Sequence, residues 1–250
     1  RYTFANGTSD KDSSGNILAK GTPILQQSSE NYADEVLIES DYKELSTSRT
    51  GVASSGKDGL NTTALNLKGF VDSVKANGGY YIARYEASYG TDGKANSKVS
   101  NSFTGSLTAP TTRKEGMLWN HITQIDSATA SRELYTTAIT DLINSYAWDT
   151  AIVYIQNFSE DADYSYQTSK NTSLSNTGVN GDEVCKINDM ASNTNEWTTE
   201  YSSYTGSSGA YPCTNRGDNY YDSDYCPSYR YGDNATSSGE YITFRPTLYM

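Results

Sequence analysis

The chain is poor in the side chains on which most catalysis depends. Among 250 residues it has a single histidine, His121. A multi-histidine metal site is thereby excluded, and no Cys/His cluster has zinc-ligand spacing. A Ser–His–Asp triad would have to use His121, and no GxSxG-like nucleophile turn accompanies it. Cysteine is scarce, with Cys185, Cys213 and Cys226 all in the last third. Three cysteines allow one disulfide and one free thiol, with the pairing left open. Cationic residues are few as well: 19 Lys and Arg against 30 Asp and Glu, a formal net charge of −11. That balance lacks the basic footprint nucleic-acid phosphates require, so no nucleic-acid partner is expected. Anionic membrane surfaces are disfavoured for the same reason. No run of about 18 apolar residues exists, so no membrane insertion by this segment is expected.

Tyrosine is what the chain has in abundance: 22, against 5 Phe and 3 Trp. Tyr packs a ring while offering a hydroxyl, which suits half-wet contact surfaces. It also suits β-strands, and composition alone does not separate the two. Low cysteine with abundant Ser, Thr, Asn, Gly and Tyr fits an extracellular, cell-surface or virion setting. The chain opens on Arg1 rather than Met, so removal of an N-terminal leader or anchor is an expectation.

Residues 1–33 carry turn formers such as Asn6-Gly7, Ser14-Gly15-Asn16 and Gly21-Thr22-Pro23, and read as a polar N-terminal extension. The remainder, 34–250, reads as one domain. Glu35–Glu39 is a short strand candidate and Ser46–Asn61 a loop. Leu67, Phe70, Val71 and Val74 mark one apolar helix face, stopped at Asn77-Gly78-Gly79. Tyr80–Glu86 reads as a strand and Gly90–Pro110 as an exposed loop. Asp126 or Ser127 is expected to cap a helix carrying Leu134, Tyr135 and Ala138. A further helix is expected at Ala147–Phe158, with Trp148, Ala151, Ile152 and Ile155 facing inward. Ser159–Gly181 reads as turn-rich, and from Ile187 the chain is β-like. Helices early and strands late predict an α+β fold rather than a wound parallel sheet. Trp119, Trp148 and Trp197 read as core anchors, and His121 as a structural or surface residue.

Five segments, in order, resemble motifs of the formylglycine-generating-enzyme-like (sulfatase-modifying-factor) family. They are Gly78-Gly79-Tyr80-Tyr81-Ile82-Ala83-Arg84-Tyr85-Glu86-Ala87, Trp148-Asp149, Asn188 to Thr198 (NDMASNTNEWT), Asn215-Arg216-Gly217-Asp218-Asn219-Tyr220, and Phe244-Arg245-Pro246-Thr247-Leu248-Tyr249. The resemblance implies a C-type-lectin-like fold, a twisted antiparallel sheet with two main helices and much irregular chain. It also implies one of two activities. Some members are copper oxidases that use paired thiols, and others are non-catalytic binders, among them the variable proteins of diversity-generating retroelements.

The oxidase alternative needs a second cysteine beside Cys226, where this chain has Asp222 or a neighbour; Cys213 lies upstream of the motif. A thiolate serves as metal ligand and nucleophile, and carboxylate does not replace it. No enzymatic activity is therefore expected. The binder alternative uses the segment Asn215–Tyr241. Its candidate ligand-binding residues are Asn219, Tyr221, Asp222, Ser223, Asp224, Tyr225, Ser228, Tyr231, Asp233, Asn234, Ser237 and Ser238. Tyr supplies rigid amphipathic area, and Ser and Asn supply adaptable hydrogen bonds. Single-base changes at the adenines of an Asn codon also produce Tyr, Asp and Ser, the set seen here. The same composition marks turns with no target at all.

The expected partner is a macromolecular target, a protein or a surface glycan, with oligomerisation left open. The settings are a phage tail or a bacterial surface, and a structural surface or pilus-associated subunit is the third alternative. No cofactor is required on this reading, although Asn193 and Glu196 match family positions that bind calcium through oxygen ligands. Arg216-Gly217-Asp218 spells an integrin tripeptide, but its place beside a strand argues for coincidence.

Overall fold

The computed structural model describes residues 67–97, 108–161, 164–166, 172–201, 205–206, 209–210, 213–222, 225–234 and 236–250. The extension 1–33, the strand candidate Glu35–Glu39 and the loop Ser46–Asn61 lie outside the described residues.

Three α-helices are present among the described residues: α1 (Leu67–Asn77), α2 (Gln124–Arg132) and α3 (Ser145–Phe158). The strands are β1 (Tyr81–Ile82), β2 (Ser88–Tyr89), β3 (Ala95–Asn96), β4 (Ile139–Leu142), β5 (Glu183–Val184), β6 (Ile187–Asn188), β7 (Asn195–Tyr201), β8 (Thr205–Gly206), β9 (Gly209–Ala210), β10 (Cys213–Arg216), β11 (Arg230–Asp233), β12 (Ile242–Phe244) and β13 (Pro246–Tyr249). The protein is a mixed α+β fold. Its larger sheet has the order β11-β10-β7-β12, and a three-stranded sheet runs β1-β13-β4. All pairings are antiparallel except β12 with β7, which is parallel.

Helix α1 ends where Gly78 takes φ +84 and its N–H bonds to Val74 O at 2.8 Å. A residue with a Cβ resists that conformation. Helix α3 starts at Asn144, whose side chain accepts from Ala147 N at 2.9 Å. Trp148, Ala151, Ile152 and Ile155 are all buried, as the periodicity requires. They pack with Phe70, Met190 and Tyr249 in one apolar cluster.

Helix α2 departs from the expected one. Its cap is Thr123, whose Oγ1 accepts from Asp126 N at 3.2 Å, so the helix begins earlier. It also stops at Arg132, before Leu134, Tyr135 and Ala138. Its inward face is polar and small, burying Gln124, Ser127, Ala128, Ala130 and Ser131. Apolar periodicity could not register that face. The strand expected over Tyr80–Glu86 is limited to Tyr81–Ile82, and the chain then turns inward to bury Glu86. The loop expected over Gly90–Pro110 contains β3, paired with β2, and buries Ala95. Its part from 98 to 107 lies outside the described residues.

The larger sheet has two unlike faces. Residues opposed across neighbouring strands point to the same side. Tyr231, Asn215, Trp197 and Phe244 form one such row, from β11 to β12. Trp197 and Phe244 pack there in a second apolar cluster with Ile122, Ala128, Leu142 and Cys213. The other face carries Arg216, Glu196 and Thr243 in register. This face is fastened by ion pairs. Arg216 is fully buried; it meets Asp149 of α3, lies 5.8 Å from the centre of the Trp148 ring, and donates to Tyr229 O at 2.8 Å.

Arg245 occupies the corner where the chain leaves β12 for β13 and so passes from one sheet to the other. Its guanidinium binds both oxygens of Glu196 and donates to Ala83 O at 2.9 Å and Asn188 O at 2.7 Å. A buried arginine is tolerable only when its donors are matched in this way. Trp148 and Trp197 are fully buried anchors. Trp119 is half-buried and makes edge contacts to Tyr89 and Phe244. His121 is half-buried with φ +51.

Candidate functional site

Past β10 the chain turns at Gly217, which has φ +87. A Cβ there would stand 3.0 Å from Met190 O and 3.2 Å from the Trp148 ring, so the turn needs glycine on both counts. The loop that follows is pinned by asparagines. Asn195 on β7 donates to Gly217 O at 2.8 Å and accepts from Asn219 Nδ2 at 2.8 Å. Asn219 Oδ1 in turn accepts from the backbone N–H groups of Tyr221 (2.8 Å) and Asp222 (3.0 Å). Asn side chains favour such local turns because the carboxamide mimics a peptide group. Tyr220 N bonds to Asn193 O at 3.0 Å.

The second loop, after β11, uses the same device. Asp233 Oδ1 accepts from Asn234 N at 2.8 Å and from the Ser237 hydroxyl. Asn234 Oδ1 accepts from Thr236 N at 3.0 Å. Beside the first loop lies a pocket of about 200 Å³. Tyr221, Tyr225, Tyr231 and Tyr241 supply its aromatic wall. Asn195, Asn215, Asn219 and Asp222 supply its polar groups, and among the described residues none that lines it is basic. Tyr225 rests on the buried Tyr229, ring centres 4.1 Å apart, and lies 6.3 Å from Tyr231.

The electrostatics here are acidic. Burial, followed by Asp233 and Glu240, pushes the Tyr241 hydroxyl above its ordinary value. Tyr220 is raised likewise, by burial first and then by Glu240. Asp233 is itself raised by burial.

The sequence-predicted contact residues divide into groups. Tyr221, Tyr231, Asn234 and Ser238 are exposed, and Tyr221 is the most open at 82%. Asp222, Tyr225, Asp233 and Ser237 are half-buried along the same rim. Asn219 and Ser228 are buried instead. Asn219 is consumed in pinning its own loop. Ser228 Oγ donates to Ser165 O at 2.8 Å, tying its loop to the short 3-10 turn Tyr164–Tyr166. Ser228 holds the surface in place rather than forms it, and Asn219 pins its loop from the pocket wall. Ser223 and Asp224 lie outside the described residues. Asn195, Asn215 and Tyr241 line the pocket without having been singled out. Asn195 and Asn215 fall inside the motifs and Tyr241 closes the segment, and the pairing of β7 with β10 and β12, with β11 beside β10, brings them together.

Asn193 and Glu196 are placed apart from any such opening. Both Glu196 oxygens accept from Arg245. Asn193 donates to Glu86 Oε2 at 2.6 Å and accepts from Ser175 N at 3.0 Å. This pair thus offers a cation no unclaimed carboxylate. Among the described residues no group of three or more His, Cys, Asp or Glu is arranged to hold a metal ion. All three cysteines are free thiols. Burial raises the Cys226 thiol above its ordinary value, and its sulfur lies 3.2 Å from Ser228 Oγ. Such a thiol is a poor nucleophile. Arg216 and Asp218 are buried, so the Arg-Gly-Asp tripeptide presents neither charge to solvent. No helix among the described residues is long and apolar enough to cross a membrane.

No family model matches the chain, and no curated protein matches it. A solved structure titled as the crystal structure of CarF aligns with a TM-score of 0.33 and 12% identity, over 77% of this chain and 64% of that one. The aligned part thus spans less than two thirds of that chain's length, and likeness at this level carries no argument about fold or activity.

Proposed function

We propose that this protein is a non-catalytic binder of a macromolecular target, of the C-type-lectin-like kind that sequence motifs suggest, working at a cell or virion surface. One observation supports this most. Tyrosines and small polar side chains are exposed on β11 and on the loops either side of it, while asparagines, serines and Arg216 beneath pin the described parts of those loops by hydrogen bonds. Rigid presentation lowers the entropy lost on binding, which is how a modest contact area reaches useful affinity. The split between exposed and buried positions is what a diversified surface needs: variation at Tyr221, Asp222, Tyr231, Asn234 and Ser238 need not disturb the fold. The buried, hydrogen-bonded Cys226 supports binding over oxidation chemistry.

The test is a display library randomised at those five positions and selected against unrelated purified proteins. On this reading most clones fold with melting temperatures near the parent, and selection yields specific binders whose affinity is lost on reverting single aromatic positions. Collapse of folding in most clones would refute it.

A further inference from the structure

We infer that the tyrosine-walled pocket accepts a single cationic side chain, an arginine, presented by a protein partner. This deepens the binding reading and rests on it. Size comes first. At about 200 Å³ the pocket is smaller than the roughly 300–1,000 Å³ of clefts that hold drug-sized molecules. It suits one protruding group.

Chemistry comes second. Aromatic faces attract a cation through their quadrupoles, and four tyrosines converge here. Asp222 adds a carboxylate to the wall, Asp233 and Glu240 deepen the negative potential nearby, and among the described residues nothing basic lines it. The net charge of −11 favours cationic approach at longer range.

The third observation is independent of charge. Asn215 is 2% exposed and lines the pocket, yet its Oδ1 accepts no hydrogen bond from the described residues. An unmet buried acceptor costs free energy, and this one borders the pocket. It calls for a donor from outside. A guanidinium has five donors in a plane and no acceptor, and it stacks readily on aromatic rings. Saccharide hydroxyls both donate and accept, and would want donors in the wall as well; among the described residues no lysine, arginine or histidine lines it to supply charged ones.

The experiment labels the full chain with 3-fluorotyrosine and follows its fluorine NMR spectrum. Nα-acetyl-arginine methylamide is titrated in, then the neutral citrulline analogue, then a panel of methyl glycosides. The arginine probe should shift a subset of resonances that vanish or move in Tyr225→Phe and Tyr241→Phe, assigning them to the pocket. Citrulline should bind at least tenfold more weakly. Asp222→Asn, at a half-buried rim position, should weaken the arginine probe and leave citrulline unchanged. Asn215→Leu should weaken both.

Equal binding of arginine and citrulline, binding of glycosides in preference, or no response to any probe would each overturn the inference. If the probes fail while the randomised surface still yields binders, only the arginine assignment falls. If neither works, the binding reading falls with it.

Discussion

Replacing Glu86 by glutamine isolates one buried proton. The Glu86 carboxyl is fully buried and accepts from Asn193 and Thr194, yet no cation pairs with it directly in a hydrogen bond. Burial, then the negative charges of Asp189 and Glu196, hold its pKa well above the ordinary range. A carboxyl whose folded value is raised binds its proton more tightly in the native state. Its contribution is therefore complete below the unfolded value of about 4.3 and is lost as pH rises through the folded value. Within that window the group lowers stability by up to about 1.4 kcal/mol per pH unit. A series from about pH 4.3 to about pH 7.3 samples that fall. Glutamine keeps the shape and cannot ionise. E86Q should match the wild type near pH 4.3 and surpass it progressively as pH rises. At about 2–4 °C per kcal/mol for a chain of this size, each pH unit inside the window separates the two melting temperatures by at most roughly 3–6 °C. The assay is urea and thermal unfolding of both proteins across that range. Asp189 and Glu196 are common to both, so the difference reports Glu86. A difference that does not change with pH would refute the reasoning.

Arg216→Ala leaves Asp149 buried without its cation and should cost about 3–5 kcal/mol in urea unfolding. Replacing both partners with apolar residues of similar volume should recover much of that loss. Gly217→Ala must accept φ +87 and a Cβ 3.0 Å from Met190 O, and should lower stability by more than about 1 kcal/mol. Asn144→Ala removes the cap of α3 and should cost about 1 kcal/mol in the same measurement.

The parts of the fold that were legible in advance are those where apolar side chains carry the pattern. Trp148, Ala151, Ile152 and Ile155 announced α3, and Phe70 with Asn77-Gly78 announced α1 and its end. Helix α2 was misplaced because Gln124, Ser127 and Ser131, the residues it buries, look like a solvent face. The larger sheet was obscure for a related reason. One of its faces is built from Arg216, Glu196 and Thr243, whose burial depends on partners far away in sequence. At the site, composition pointed to one segment but could not sort its residues into exposed and buried. Asn219 and Ser228 belong to the same chemical vocabulary as Asn234 and Ser238, since turn-forming and contact-forming residues are the same types. Their roles separate only when the loop hydrogen bonds are drawn. Asn215 entered the pocket through its register with Tyr231 and Trp197, a pairing that local sequence does not encode.

Hydroxyl-radical footprinting of the free protein, read residue by residue by mass spectrometry, measures the central claim most directly: that an aromatic surface stands open on a rigid base. Tyr221, Tyr231 and Tyr241, exposed at 82%, 40% and 40%, should oxidise well ahead of Tyr164, Tyr229 and Tyr249, at 0%, 7% and 3%. Comparable protection of both sets would mean that the proposed contact surface is covered in the protein itself, and would contradict the account.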